Sequence, residues 1–133
     1  MSSIVREPLN GKPATYPVPD QTAFWIQSPR RVIENFIHAA NLDEASLLDD
    51  RIINLPGLTV SVSEILASLK QIAGARVTDL VKQERDAFLE SIVLTWPPHF
   101  DTRRAQKLGF VKDASAEEII KTYVEEENIA IKP

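Results

Sequence analysis

The sequence predicts an α/β or α+β domain, with a small sheet of three to four short strands packed against about five helices. Apolar residues recur at helical spacing in several segments, and short aromatic or β-branched runs lie between those segments. At 133 residues with 44% hydrophobic residues, the chain is long enough for one domain with its own core. We therefore treat 1–133 as a single domain, with a helix and a proline-rich connector over 1–20 and the core over 21–133.

The N-terminal segment predicts a short helix over residues 2–9, which Gly11 ends. The connector over residues 12–20 carries three prolines: Pro13, Pro17 and Pro19. They fix an extended path and exclude pairing in the centre of a sheet. We expect Tyr16 and Val18 to lie against the core.

The central segment is residues 23–41. Residues 23–27 are apolar and aromatic, which predicts a short buried strand. Ser28 can accept a hydrogen bond from a free N–H group at a helix start, and Pro29 suits the first helical position. The helix that follows has one apolar face: Val32, Ile33, Phe36, Ile37 and Ala40. Asn41 tolerates the left-handed conformation that ends helices.

Residues 42–74 predict an acidic surface loop, a strand and a long helix. Residues 51–55 favour a second strand, closed by Pro56-Gly57, and residues 59–60 a further short extended piece. Ser61 and Glu64 have capping-box spacing. The helix after them has one apolar stripe: Val62, Ile65, Leu66, Leu69, Ile72 and Ala73. Gly74 ends it.

The C-terminal half is less regular. Residues 76–81 favour a third extended segment. Residues 83–95 favour a helix in their first half, although 92–96 also suit a strand. The two prolines in 96–100 indicate a rigid aromatic loop. Asp101 can cap a short helix ending at Leu108-Gly109, and Ser115 with Glu118 forms a second capping box. The last helix has a buried stripe: Ile119, Ile120, Tyr123 and Val124.

The composition excludes several classes of function. A net charge of −4 argues against a nucleic-acid-binding protein, which needs a basic face. No apolar run approaches the roughly 20 residues that a membrane helix needs. The absence of cysteine excludes disulfides and thiolate chemistry. With a start that lacks the features of a secretory signal, this favours a cytoplasmic protein.

No catalytic, cofactor-binding or metal-binding constellation is visible. The four glycines are isolated, so no phosphate-cradling loop is present. The two histidines, His38 and His99, are far apart and have no carboxylate at ligand spacing. Neither Tyr16 nor Tyr123 has a lysine four residues on, so the Tyr-Lys pair that serves proton transfer is absent.

Aromatic residues beside rigid prolines are the remaining candidates for a site: Trp25, Trp96, His99 and Phe100. Large rings with a polar handle commonly line ligand pockets, and they also commonly fill cores. Both interpretations stay open from the residues alone.

The order of segments resembles the C-terminal substrate-binding part of extended short-chain dehydrogenases/reductases, the NAD-dependent epimerase/dehydratase family. The resemblance rests on residues 23–40, on Arg51-Ile-Ile-Asn-Leu-Pro-Gly with Thr59-Val-Ser-Val-Ser-Glu-Ile-Leu, and on Asp101-Thr-Arg-Arg-Ala with Leu108-Gly-Phe and 115–126. Within the family, Ile4-Val-Arg-Glu-Pro-Leu-Asn-Gly, residues 25–31 and Trp96-Pro-Pro-His-Phe-Asp look most like the D-erythronate dehydrogenase branch. The fold expected from this resemblance is that of the family's substrate domain.

The resemblance implies a substrate-binding domain for a sugar acid, inactive alone. Family members also carry a Rossmann domain with a glycine fingerprint, a catalytic serine or threonine and the Tyr-Lys pair, which this sequence lacks. We therefore expect no cofactor in this chain, with NAD bound in the full-length family, and no catalytic residue carries over. By resemblance, the substrate pocket is lined by Ser2, Ser3, Phe24, Trp25, Trp96 and His99.

Two other functions remain open. The first is a non-catalytic interaction or oligomerisation module, which reuses the surface that a Rossmann domain would cover. A homodimer or a separate Rossmann domain is the expected partner, with candidate contacts at Ile4, Val5, Tyr16 and Val18. The second is an independent binder of a small ligand in the Trp25/Trp96 cleft.

Overall fold

The structure is a computed structural model that describes residues 2–131, and over this range it has seven α-helices and four short strands. In chain order these are α1 (Ser3–Leu9), β1 (Ala14–Tyr16), β2 (Ala23–Ile26), α2 (Pro29–Ala40), β3 (Leu58–Ser61), α3 (Val62–Ala73), α4 (Ala75–Thr78), β4 (Val81–Gln83), α5 (Ala87–Val93), α6 (Arg103–Lys107) and α7 (Ala116–Glu126). A 3₁₀ turn spans Glu44–Leu47. The predicted mixed α/β class is confirmed. None of the helices in this range could cross a membrane, since none is long and apolar enough.

The four strands form two separate pairs. β1 runs parallel to β4, with Ala14 opposite Val81, and β2 runs antiparallel to β3, with Phe24 opposite Val60. The prolines that flank β1 limit it to three residues. The connector predicted over 12–20 therefore includes a short strand, and Tyr16 and Val18 are buried as expected.

Helix α3 lies at the centre of the core. Its Ile65 and Leu69 are buried, and the core around them includes Ile4 of α1 and Ile120 of α7. The predicted capping box is confirmed, because the Ser61 hydroxyl accepts from the Glu64 N–H at 3.2 Å and the Glu64 carboxylate accepts from the Ser61 N–H at 2.7 Å. Gly74 ends the helix at a φ of +82°, which favours glycine.

Residues 51–55 are irregular, so the predicted strand there is wrong. Side chains bind carbonyl oxygens in and just before this segment. The Arg104 guanidinium donates to the carbonyl oxygens of Leu47 and Ile52, both at 2.8 Å, and to that of Asp50. The strand that pairs with β2 is β3, three residues further on.

The prediction of an extended segment over residues 76–81 is also wrong for most of these residues. Residues 75–78 form the single turn α4, and the strand β4 begins only at Val81. The helix expected in the first half of 83–95 is α5, which begins later than expected because the Asp86 carboxylate caps it by accepting from the N–H groups of Phe88 and Leu89. Residues 92–96 do not form a strand.

Three helix-end predictions need correction. Asn41 ends α2 at a φ of −102°, outside the left-handed region. Asp101 accepts from the Arg103 N–H at 3.1 Å, although Thr102 occupies the capping position of α6. The Ser115 hydroxyl accepts from the Glu118 N–H, whereas the Glu118 carboxylate accepts from the Ala114 N–H, so the second capping box is displaced by one residue.

Helix α2 turns its polar stripe inward. Its buried residue is Asn35, whose amide donates to the Val111 carbonyl at 2.8 Å and accepts from the Val111 N–H at 3.0 Å. One turn on, His38 Nε2 lies 2.7 Å from the Leu108 carbonyl oxygen, and its ring packs edge-on against Phe110. Segment 108–113 is thereby attached to α2 through hydrogen bonds to its backbone.

Asp113 completes this attachment at the start of α2. Its buried carboxylate accepts from the Ser28 N–H at 2.8 Å and from the Ser28 hydroxyl at 2.7 Å. The same hydroxyl accepts from the Arg31 N–H at 3.2 Å, as the sequence predicted for a helix cap. The inward stripe of α2 is therefore polar and fully hydrogen-bonded.

Candidate functional site

The loop over residues 96–100 contacts both faces of the strand pair β2–β3. Successive side chains of a strand point to opposite faces, so Phe24 faces the core and Trp25 faces the other way. Trp96 packs edge-on against Phe24 at a centroid distance of 6.5 Å, while His99 and Phe100 lie 5.6 Å from Trp25. The Thr59 hydroxyl donates to the Pro98 carbonyl at 2.7 Å, which fixes the loop to β3.

The Trp25 indole packs against residues 55–57, the segment that leads into β3. Its Nε1–H points at the Leu55 carbonyl oxygen at 3.4 Å, a long hydrogen bond. Gly57 lies directly beneath it, since a Cβ there would stand 2.8 Å from the indole ring and from the Ile26 carbonyl oxygen. Close approach therefore requires glycine at this position, and it keeps the Trp25 ring in one place.

The structure places four of the six predicted pocket residues in two separate pairs, which lie on opposite faces of β2–β3 and do not form one pocket. The pairs are Phe24 with Trp96 and Trp25 with His99. Ser2 is exposed and Ser3 half-buried at the start of α1, whose Ile4 packs in the same core as Phe24. Trp96 and His99 are exposed, so each pair presents an aromatic edge to solvent.

A second feature, a cleft of about 640 Å³, lies between α6 and the irregular segment 50–54. It is lined by Asp50, Ile52, Ile53, Asn54, Asp101, Arg103, Arg104, Ala105 and Lys107. The Arg104 guanidinium donates hydrogen bonds to backbone carbonyls of 47–52 and, at 2.9 Å, to the Asp50 carboxylate. Arg103 pairs with Asp101 and lowers the pKa of that carboxyl to about 2, mainly through their side-chain hydrogen bond.

The sequence interpretation did not nominate this cleft. Its basic side chains follow one another on α6, and that run was the available signal. Arg103 and Arg104 are both satisfied by neighbouring acceptors. Arg104 holds α6 against the irregular segment, whereas Arg103 pairs locally with Asp101.

The pKa of Tyr16 is raised, whereas a tyrosine that transfers protons near neutral pH needs a lowered pKa. Its hydroxyl donates to the Asp20 carboxylate at 2.8 Å. Burial, and then the hydrogen bond and charge of Asp20, raise the pKa of Tyr16 to about 12. A phenol that acts as an acid–base catalyst near neutral pH needs its pKa lowered. Among residues 2–131, no group of three or more histidine or carboxylate side chains could hold a metal ion.

Helix α2 has an exposed apolar surface. Its apolar residues Ile33, Phe36 and Ile37 are 58%, 62% and 60% exposed. The four contact residues nominated from the sequence lie elsewhere: Ile4, Tyr16 and Val18 are buried, and Val5 is half-buried. Those residues belong to the core and are not available as a surface, so that nomination is wrong.

The fold is similar to part of the fold of solved sugar-epimerase and dehydrogenase structures. A solved structure titled as a nucleoside-diphosphate-sugar epimerase from Agrobacterium tumefaciens superposes with a TM-score of 0.93 at 35% identity, covering 98% of this chain and 39% of that chain. A GalE-like L-threonine dehydrogenase from Cupriavidus necator superposes with a TM-score of 0.77 at 18% identity, over 94% of this chain and 44% of its own. The second likeness concerns the fold alone.

Two curated relatives are named D-erythronate dehydrogenase. The protein from Cupriavidus necator is 40% identical over 129 residues, which are 97% of this chain and 40% of its own length. The protein from Haemophilus influenzae is 38% identical over 125 residues, 94% of this chain and 40% of its own. The predicted resemblance to the epimerase/dehydratase family and its D-erythronate dehydrogenase branch is confirmed. The chain spans about two fifths of the length of these relatives, and no family model matches it.

Proposed function

We propose that this chain is the substrate-binding part of an NAD-dependent, sugar-acid oxidoreductase and needs a separate Rossmann domain for hydride transfer. The observation that carries the proposal is the similarity to D-erythronate dehydrogenases over nearly the whole chain but only two fifths of theirs. The remaining three fifths of such a relative is where a cofactor-binding domain would lie. Tyr16, with its raised pKa, is unsuited to the proton transfer that the reaction needs.

The proposed ligand is a sugar acid, with erythronate as the first compound to test because the relatives carry its name. The aromatic surface that Trp25 and His99 form on one face of β2–β3 suits such a ligand. The half-buried Trp25 ring can contact its C–H groups, and the ring nitrogens of the exposed His99 can hydrogen-bond to a hydroxyl or carboxylate. Trp25 is set in place by Gly57 and by the Leu55 carbonyl, so this wall is pre-formed.

The test is a calorimetric titration of the purified chain with D-erythronate, followed in parallel by tryptophan fluorescence. We expect binding that His99→Ala weakens at least tenfold, while Phe88→Ala, an exposed control on α5, leaves it unchanged. Equal affinity in the two variants, or no heat with the wild-type chain, would reject the sugar-acid site.

A second titration, with NAD⁺ alone, tests the need for another domain. We expect no binding, because the glycines of this chain are isolated and none forms a phosphate-binding loop. Micromolar affinity for NAD⁺ would overturn the proposal that the cofactor is held by a separate domain.

We also propose a cytoplasmic location, which the cysteine-free composition favours.

A further inference from the structure

Gln27 lies next to Trp25 on one face of the strand pair β2–β3. The intervening Ile26 packs against the core, so the alternation of side chains along the strand sets Trp25 and Gln27 on the same face. Their contacts agree with this placement. The Gln27 amide donates to the Pro56 carbonyl at 2.7 Å, one residue on from the Leu55 carbonyl that the indole N–H approaches.

The side-chain amide of Gln27 can take only one orientation. Its Nε2 donates to the carbonyl oxygens of Pro56 at 2.7 Å and Val111 at 3.1 Å, so both of its N–H bonds are used. A reversed amide would set Oε1 against two carbonyl oxygens, neither of which can donate. The Val111 carbonyl also accepts from the Asn35 amide at 2.8 Å, which holds it in place. The position of Gln27 Oε1 is therefore fixed by the fold.

Gln27 Oε1 is a hydrogen-bond acceptor that reaches solvent. It has no partner within residues 2–131, and no buried side-chain nitrogen or oxygen in this range lacks one, so Oε1 is accessible. The side chain as a whole is half-buried. Oε1 is thus a fixed acceptor at the border of the aromatic surface, and an amide oxygen can accept from a hydroxyl but cannot donate to a carboxylate.

We propose that Gln27 determines specificity in the sugar-acid site by accepting, at Oε1, a hydrogen bond from one hydroxyl of the ligand. This role rests on the proposed function. A sugar acid carries hydroxyl groups, which can donate, and a carboxylate, which only accepts. Gln27 Oε1 suits a hydroxyl, and a ring N–H of His99, on the same side of Trp25, suits the carboxylate. Together they favour a hydroxy acid over an acid that lacks this hydroxyl.

The test compares D-erythronate with its three monodeoxy analogues by calorimetric titration of the full chain. We expect one analogue to bind the wild-type chain about fivefold more weakly than D-erythronate, because it lacks the hydroxyl that Gln27 accepts from. Gln27→Met keeps the length of the side chain and removes the amide. In this variant the affinities for that analogue and for D-erythronate should agree within about twofold.

Gln83→Met is the matched control. The Gln83 amide also donates to two acceptors, the Val18 carbonyl at 2.9 Å and the Asp20 carboxylate at 3.1 Å, but it lies on β4, outside the site. Gln83→Met should therefore keep the wild-type difference between the two ligands.

A measurement on the wild-type chain avoids the loss of stability that Gln27→Met causes by leaving the Pro56 and Val111 carbonyls without this donor. With carbon-13-labelled glutamine, the Cδ signal of Gln27 should shift when D-erythronate saturates the chain, because an accepted hydrogen bond polarises the amide carbonyl. It should shift less with the weak analogue at saturation. The Cδ signal of Gln83 should stay in place with both.

Four results would overturn the role of Gln27 and leave the sugar-acid site standing. The first is equal affinity of the wild-type chain for D-erythronate and all three analogues. The second is an unchanged difference in Gln27→Met, and the third is its loss in Gln83→Met as well. The fourth is a Gln27 Cδ signal that is indifferent to the ligand. A wild-type chain that binds none of these acids would instead reject the proposed function, and the role of Gln27 with it.

Discussion

At the scale of single residues, buried polar groups decide how this chain is arranged. Ser28, Asn35 and Asp113 are all buried, and each is hydrogen-bonded to a residue far away in the sequence. Ser28 and Asp113 bond to each other, and Asn35 bonds to Val111. An unsatisfied buried polar group costs about 1–3 kcal/mol, so these residues tolerate only one relative placement of their two segments. The apolar residues of α2, which face outward, impose no such restriction.

Asp113→Ala should therefore lower the free energy of unfolding by about 2–4 kcal/mol, because it leaves the N–H and hydroxyl of Ser28 without an acceptor. The measurement is urea unfolding at pH 7. Asp113→Asn keeps one carbonyl oxygen and should lose less. Asp49→Ala, an exposed aspartate, is the control and should change stability by under about 0.5 kcal/mol. Equal effects at positions 49 and 113 would contradict this account.

Tyr16 predicts a loss of stability at high pH. Its pKa is about 12 in the folded chain and about 10 when unfolded. Between these values the unfolded state releases the phenol proton and the folded state keeps it. The free energy of unfolding should then fall as pH rises, by about 1.4 kcal/mol per pH unit from this group.

Urea unfolding between pH 9.5 and 11.5 measures this slope. Tyr16→Phe removes the titrating group, so its stability should fall less steeply over the same range. Identical slopes for the variant and the wild-type chain would show that Tyr16 ionises with an ordinary pKa in the folded protein.

At the scale of elements, local signals were sufficient for some helices and strands and not for others. The start of α2 and both ends of α3 depend on residues within one turn of each other, such as Ser61 with Glu64, and the sequence predicts them correctly. The exposed direction of the α2 stripe depends on segment 108–113, whose contacts with α2 span 70 to 76 residues of sequence. Residues 51–55 have the composition of a strand, but distant side chains bind two of their carbonyl oxygens: Arg104 that of Ile52 and Trp25 that of Leu55.

For the candidate site, too, the local sequence predicts some features and not others. Its aromatic residues are recognisable by type and by their position beside prolines. The alternation along β2, a local property, is sufficient to set Phe24 and Trp25 on opposite faces. That the 96–100 loop reaches both faces follows from the hydrogen bond between Thr59 and Pro98, which no local pattern specifies.

The strand pair β2–β3 provides a prediction at this scale. Gly57→Ala should lower the free energy of unfolding by about 1–3 kcal/mol and shift tryptophan emission, because the new Cβ would stand 2.8 Å from the Trp25 ring. Gly74→Ala is the comparison, since its φ of +82° is strained for alanine but open space surrounds it. It should lose stability without a shift in emission. A shift of equal size in both variants would count against a clash at Trp25.

At the scale of the whole molecule, the accessible surface and the similarity to longer relatives are in agreement. The chain exposes more area than its mass requires, and it corresponds to about two fifths of the D-erythronate dehydrogenases that it resembles.

The attachment of α2 to segment 108–113 has a consequence for synthesis on the ribosome. Helix α2 is translated about 75 residues before Asp113, so at 5–20 residues per second it waits for about 4–15 s with neither face covered. During that interval Ile33, Phe36 and Asn35 are all open to protease and chaperone. Nascent chains stalled so that residue 105 has left the exit tunnel should be cut within α2, and chains exposing residue 120 should be protected there. Equal cleavage of both would mean that α2 docks without its C-terminal partner.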